Sequence, residues 1–285
     1  MGIQSLLLVI AAAILHAVWN LITKKVNGKL PFFWLIAVAS AIIYLPFVCW
    51  QLFQIKLAID ATVITFVTVS AILHLVYFVV LQAGYRKADL SVVYPIARGA
   101  GPFISVIGAM LLFNEKPTWL ALVGILLIVV GVLVITGIQF SGNNTLKAGV
   151  IYGMLTGLFI AAYTLWDKVA VVNHHISALF ITFASMLLPL LLLIPVAIKQ
   201  KQEVKREVQQ HWKQVIAVAI FQPLSFILVL LALKTTPVSY VAPARELSIV
   251  FGVFFGANLL KEADVKRRLI GAGVMLVGIA LLAVG

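Results

Sequence analysis

Acidic residues are scarce in this chain of 285: nine Asp and Glu stand against 21 Lys and Arg, and charged residues of every kind make up only 11%. A soluble domain is about a quarter charged. With 63% of positions hydrophobic, there is more apolar surface than a soluble fold could hide, because such a fold buries only part of its surface. The implied solvent is the bilayer. Cysteine is nearly absent too. The single Cys49 excludes an internal disulfide and a cysteine-based metal cluster. No hydrolase triad, metal-ligand cluster or phosphate-binding loop is present; the glycine-rich GAGPF at 99–103 has no strand before it and no Lys-Ser/Thr after it. No catalytic residue, metal or cofactor is therefore expected, and a nucleotide-driven pump is excluded. The net charge of +12 could suggest nucleic acid, but the basic residues fall between apolar runs without interleaved aromatics, so no nucleic-acid partner is expected.

What is abundant is long apolar sequence. A spanning helix needs about 20 mainly apolar residues, and ten such stretches occur, at 3–23, 31–53, 61–83, 91–113, 118–139, 148–169, 177–198, 214–234, 239–260 and 268–284. They lack the alternation of a membrane barrel, and open sheets cannot span lipid. The expected class is an all-α polytopic membrane protein. No positive segment precedes the first stretch, which argues for a retained helix over a cleaved signal. The longest connection, about 199–213, could form one amphipathic surface helix. Loops 1, 3, 5, 7 and 9 carry 15 Lys and Arg and the even loops only four. The positive-inside rule then puts the odd loops in the cytoplasm and both termini outside.

The two halves resemble each other. A shift of 147 residues superposes Arg98 on Arg245, Glu115 on Glu262, Gly124 on Gly271 and Gly131 on Gly278; a shift of 144 superposes Lys24 on Lys168 and Trp19 on Tyr163. Residues 1–140 and 145–285 read as two five-span repeats. Five is odd, so the second copy enters the membrane the other way up. Inverted repeats are common in secondary transporters, with the site near the midplane between the halves.

Charged groups inside a membrane are expensive and usually serve function or pairing. Arg98 lies about 10 Å into span 4 at the helical rise, and Arg245 with Glu246 is similarly placed in span 9. A guanidinium presents a fork of donors suited to carboxylate or phosphate. Snorkelling of Arg98, or structural pairing of Arg245 and Glu246, is the plainer alternative. Pro95 and Pro102 with Gly99 and Gly101 predict a disturbed span 4, and Pro237 and Pro243 a weaker disturbance in span 9. Span 1 places His16, Trp19 and Asn20 on one face; span 6 answers with Tyr163, Trp166 and Asp167, span 3 adds His74 and Tyr77, and Tyr94 and Gln222 complete the candidate substrate-binding set with Arg98, Arg245 and Glu246. His16 or His74 could couple transport to protons, or simply pack; the aromatics could enclose a ligand or form the interfacial belt. Gly124, Gly131, Gly271, Gly273 and Gly278 allow close helix approach, so spans 5 and 10 read as packing or homodimer-contact elements. Glu115 and Glu262 read as helix caps or loop ion pairs.

These segments together resemble the drug/metabolite transporter superfamily, specifically its EamA-type ten-helix members. The likeness is carried by HAVWNLITKK, ADLSVVYPIARGAGPF and FNEKPT in the first half and by AAYTLWDKV, VSYVAPARELSIVFG and LLKEADVKRRLIGAGVMLVG in the second. It implies a central cavity lined by spans 1, 3, 4, 6, 8 and 9, with 5 and 10 peripheral. It also implies secondary transport of a small organic metabolite. Many such proteins have cytoplasmic termini, contrary to the charge count here, which is favoured. The expectation is a transporter of a small anionic or zwitterionic metabolite in a bacterial inner membrane, bound by the two arginines and surrounded by lipid. An organic-cation carrier using Trp19, Tyr77, Tyr94, Tyr163 and Glu246 as an aromatic-acidic cage is the alternative. A lipid-modifying enzyme, hinted at only by His174-His175, and a non-transporting scaffold are weaker readings.

Overall fold

Among the described residues, which are the whole chain apart from 27, 56–58, 138–143 and 260–264, the computed structural model contains helices and no strand. The order is α1 (Ile3–Val26), α2 (Leu30–Ile55), α3 (Ala61–Lys87), α4 (Leu90–Phe113), α5 (Trp119–Thr136), α6 (Asn144–Val172), α7 (Ala178–Lys199), α8 (Lys201–Leu233), α9 (Val238–Ala244), α10 (Leu247–Leu259) and α11 (Val265–Val284). Ten spans are long and apolar enough to cross a membrane, α9 and α10 jointly forming the ninth. Glu262, expected at a helix end, lies outside the described residues.

Helix ends need partners for the amides that the helix itself leaves open. Asp60 accepts from the Val63 amide at 2.8 Å to start α3, Thr118 accepts from Ala121 to start α5, and Ser177 accepts from Phe180 to start α7. Asn114, at φ 52, closes α4 in the left-handed conformation. The basic segment expected as a surface helix is the first part of α8; His211 interrupts the helical dihedrals and the eighth span follows it.

Packing reproduces the internal repeat. α3 lies on α6 as α8 lies on α1, α4 on α6 as α10 on α1, while α2 meets α7 and α5 meets α11. The last pair is held by glycine. A Cβ on Gly124 would stand 2.6 Å from the carbonyl oxygen of Gly278, and one on Gly278 would stand 2.7 Å from that of Gly124. Gly131 and Gly271 oppose each other in the same way. The glycine stripe of spans 5 and 10 is therefore occupied within the chain, and only Gly273 of that set has open space around it. A second stripe, Gly149, Gly153 and Gly157 on α6, is as close to α4: a Cβ at each would come within 2.7 Å of Val92, Ile96 and Ala100. Small residues four apart are what allow such approach in lipid.

The proline expectation holds unequally. α4 runs as one helix through Pro95 and Pro102, seated along its length on the α6 glycines. The ninth span, which looked the milder case, is the broken one, interrupted at Arg245–Glu246. It is also the most buried of the ten.

Glu115 both caps a helix and pairs a charge, but the helix is not a neighbour in sequence. Its carboxylate accepts from the Val238 and Ser239 amides at 2.9 Å each, at the start of α9, and meets Lys168 Nζ of α6 at 2.5 Å. Lys168 also lies 4.4 Å over the Phe113 ring. On the same face the Ser5 and Thr235 hydroxyls bond at 2.8 Å, the Met1 amine donates to the Ala283 carbonyl, and the Tyr240 hydroxyl donates to the Gly285 carbonyl. These contacts fasten α1, α4, α6, α9 and α11 at one end of the bundle.

Burial alone would push the Glu115 carboxyl up, but the Lys168 ammonium and the two amides outweigh it and hold it below the usual carboxylate range. A depressed folded value gives a stabilisation that is complete above the unfolded value and lost as pH falls through the folded one. Glu115→Gln should lower the melting temperature of the purified protein at neutral pH, by the equivalent of about 1.5–3 kcal/mol for a hydrogen bond to a charged group, and should flatten the acid limb of its stability–pH curve. Gly124→Ala and Gly278→Ala, which drive a methyl into a facing carbonyl, should each cost about 1–3 kcal/mol, whereas Gly273→Ala should leave thermal unfolding unchanged.

Candidate functional site

Pro243 has no amide to continue the α9 ladder, and the chain crosses the interruption on tighter bonds. The Glu246 amide reaches the Pro243 carbonyl at 3.0 Å, Ser248 reaches Arg245 at 3.2 Å, and Ile249 reaches Glu246 at 2.9 Å. The spacing of three residues is that of a 3₁₀ turn. Backbone groups stay satisfied, as membrane depth demands, while two charged side chains are turned into the protein: Arg245 is 8% exposed and Glu246 1%.

Across from the break stands α4. Arg98 Nε lies 3.1 Å from Glu246 Oε2, close enough for an ion pair but without hydrogen-bond alignment. Its Nη2 donates to the Ser248 hydroxyl at 3.1 Å. Three phenols, Tyr77, Tyr94 and Tyr163, lie within electrostatic reach of the guanidinium, whose carbon is 6.0 Å from the Tyr94 ring. Arg245 acts electrostatically on Glu246, His16, His74 and Tyr77. It makes no hydrogen bond or ion pair with any described residue, and its Nε is buried without a partner. The cluster thus holds two permanent cations against one nearby carboxylate.

A second cluster adjoins it on α3 and α6. His74 stacks on Tyr163 with ring centroids 4.1 Å apart and meets Phe226 of α8 edge-on at 5.3 Å; Tyr77 meets Tyr163 at 5.8 Å. His74 Nδ1 lies 2.9 Å from the Ser70 carbonyl, an acceptor, so that nitrogen carries hydrogen. Nε2 points to Asp167 Oδ2 at 3.9 Å. Asp167 is fully buried, and neither carboxylate oxygen has a hydrogen-bond partner.

Of the candidate residues, His16, His74, Tyr77, Tyr94, Arg98, Tyr163, Arg245 and Glu246 are brought together. The rest are placed differently. Trp166 spends its one donor on the Phe66 carbonyl at 3.0 Å and tilts over that ring, bracing α6 on α3. Trp19 meets His16 edge-on at 4.9 Å and packs beside the Phe32–Ile36–Val218 cluster of α2 and α8. Asn20 donates to the His16 carbonyl one turn back. Gln222 is exposed and takes no part in these contacts. Sequence reading passes over Ser70, Phe226 and Ser248, whose residue types are common in membrane helices. It places Asp167 on the right face without revealing that it is sealed. A cavity of about 410 Å³ opens elsewhere, between the start of α2 and the end of α3, lined by Lys29, Phe33, Phe78, Gln82 and Arg86 among others. It starts one residue beyond Tyr77 on α3 and includes neither arginine of the cluster.

The chain is 26% identical over 200 residues to an uncharacterized transporter of Archaeoglobus fulgidus, covering 70% of this chain and 68% of that one. It is also 26% identical over 132 residues to an uncharacterized protein of Methanocaldococcus jannaschii, covering 46% of this chain and 96% of the relative. A solved crystal structure superposes on all of this chain and 98% of its own with a TM-score of 0.78 at 14% identity, a likeness of fold. The model of the EamA-like transporter family matches twice, over residues 3–137 and 147–284. With ten apolar spans, and with the family model repeated along nearly its whole length, this multi-pass membrane protein belongs to the EamA-like transporter family, and the family and the transporter-named relative both point to a transporter.

Proposed function

We propose that the chain is a secondary active transporter of a small anionic or zwitterionic organic metabolite, amino-acid-like or phosphonate-like, working by alternating access in the plasma membrane of a bacterium. One observation carries the substrate class: Arg245 is a buried guanidinium with no counter-charge of its own, because Glu246 lies against Arg98. A charge kept inside a membrane protein without a partner is costly. A carboxylate or phosphonate arriving from solution would supply the missing acceptor in the bidentate geometry that arginine favours. The phenols of Tyr77, Tyr94 and Tyr163 offer further donors, and His16 lies within electrostatic reach of both arginines.

The same pairing weighs against an organic-cation carrier. The cation cage read from the sequence takes Glu246 as its acid, and that carboxylate is already opposite a guanidinium at 3.1 Å. A substrate amine would have to displace Arg98 to use it.

Uptake of labelled amino acids, dicarboxylates and phosphonates into proteoliposomes tests the assignment. Arg245→Ala should reduce uptake of the transported anion by about 10–100-fold, the equivalent of losing one charge-assisted hydrogen-bonding partner. Arg98→Lys, which keeps a charge beside Glu246, should reduce it less while leaving the fold intact. Unaltered uptake of an anionic substrate in both variants, or selective uptake of amines, would sink the reading.

A further inference from the structure

The arginine cluster does not account for Asp167. Its side chain is 0% exposed, both oxygens lack a hydrogen-bond partner, and aromatic rings cluster on the helix pair that carries it. His74 is stacked on Tyr163 and edged by Phe226, while Phe66 and Trp166 lie against each other on the neighbouring turns of the same helix pair. A carboxylate that only held the fold together would be met by donors, as Glu115 is by an ammonium and two amides. The polar groups that face Asp167 are few. From α3 there are the Ser70 hydroxyl, near enough to act on the carboxyl group but not aligned as a hydrogen bond to either oxygen, and His74, whose Nε2 is 3.9 Å away. On α6 itself the adjacent Lys168 is committed to Glu115. From the α9–α10 break Arg245 acts on His74, and α8 contributes the Phe226 ring to His74.

We propose that Asp167, with His74 beside it, is a proton-binding site of this protein, distinct from the anion site at Arg245. An unbonded buried carboxylate gains most by taking up a proton, since the neutral acid avoids the cost of a buried charge. His74 is prepared to share that proton. Its Nδ1–H is fixed on the Ser70 carbonyl, which leaves Nε2 as the acceptor that faces the carboxyl group. At 3.9 Å the two are beyond hydrogen-bond distance, so a modest side-chain rotation makes or breaks an Asp–OH to imidazole bond. The step balances simply: one proton from water adds to the carboxylate on one side of the membrane and leaves to water on the other, with no other bond changed. A metal cation is a poorer occupant. It requires a shell of oxygens, and no group of three metal-ligating side chains occurs among the described residues.

Tyr163 connects the two sites. Its ring stacks on His74 and lies within electrostatic reach of Arg98, and His74 itself lies within reach of Arg245, so the proton site and the anion site share neighbours. Whether a proton binds is independent of the transporter reading; that it drives transport rests on that reading.

Infrared spectroscopy on the purified full-length protein in nanodiscs, titrated from about pH 9 to about pH 5 across the ordinary His and carboxylate range, tests binding with the proton itself as probe. The wild type should gain a protonated-carboxyl stretch that is missing in Asp167→Asn and whose midpoint moves in His74→Gln. Identical carboxyl bands in wild type and Asp167→Asn would overturn the proposal, and His74→Gln provides the reading should Asp167→Asn not fold. Proteoliposomes separate the two claims. For one proton per anion, a gradient of one pH unit sustains about tenfold accumulation. Asp167→Asn should lose that accumulation while retaining substrate exchange at equal pH, and Arg245→Ala should lose exchange as well. Exchange without any response of the wild type to the gradient would overturn coupling through Asp167 and leave the transporter reading standing. Absence of exchange in the wild type would overturn the transporter reading and, with it, coupling, while the infrared titration would still decide proton binding.

Discussion

The ion pair between Arg98 and Glu246 is the constraint on which the interior depends. It joins α4 of the first repeat to the break in the second, with both side chains largely withdrawn from the surface. Removing one member of a buried pair leaves the other uncompensated, at a cost of about 3–5 kcal/mol. Each arrangement around it has to respect that pairing. The α6 glycines bring α4 close to α6, the break between α9 and α10 delivers Glu246, and Glu115 anchors the start of α9 so that the short helix leading into the break is fixed at its outer end. Glycine packing, capping and the broken span are parts of one solution to placing three charges inside a membrane.

Much of this was legible in the sequence because the bilayer simplifies the problem. Lipid forbids unsatisfied backbone, so apolar runs of sufficient length must be helices; hence ten runs gave ten spans. The repeat was legible because arginine, glutamate and glycine are rare enough in apolar helices for matches at fixed shifts to mean something. Which helix would break was not legible. Pro95 and Pro102 with two glycines form the stronger local signal, yet α4 stays continuous where tertiary packing against α6 supports it. Nor did local sequence show whose amides Glu115 would cap, since Val238 is 123 positions away. The Gly149–Gly153–Gly157 stripe was readable by its spacing but hidden among the abundant glycines of the chain. Asp167 stands one position before a lysine that matches Lys24 in the first repeat, so it reads as a helix-end residue; only the assembled bundle shows it sealed.

The departures from internal symmetry say most about function. The shift of 147 that carries Arg98 onto Arg245 carries Gly99 onto Glu246. A duplicated helix pair that kept strict symmetry would have presented two guanidiniums to one interior with nothing to balance them, and both act on His16 and Tyr77 as it is. A single acid, present in one repeat only, resolves the repulsion unequally. Glu246 lies against the arginine of the other half and leaves its own neighbour, Arg245, open. The two arginines thereby differ in surroundings although they stand at matching positions: Arg98 has Glu246 and Ser248 beside it, and Arg245 has neither a hydrogen bond nor an ion pair with a described residue. Asp167 is a second departure, for the shift of 144 that aligns Lys24 with Lys168 sets Thr23 in its place. Both unmatched acids lie in the second repeat, and each faces a residue of the first: Glu246 faces Arg98, and Asp167 faces His74. Both contacts cross the boundary between the halves, so the two repeats are tied to each other through charged side chains.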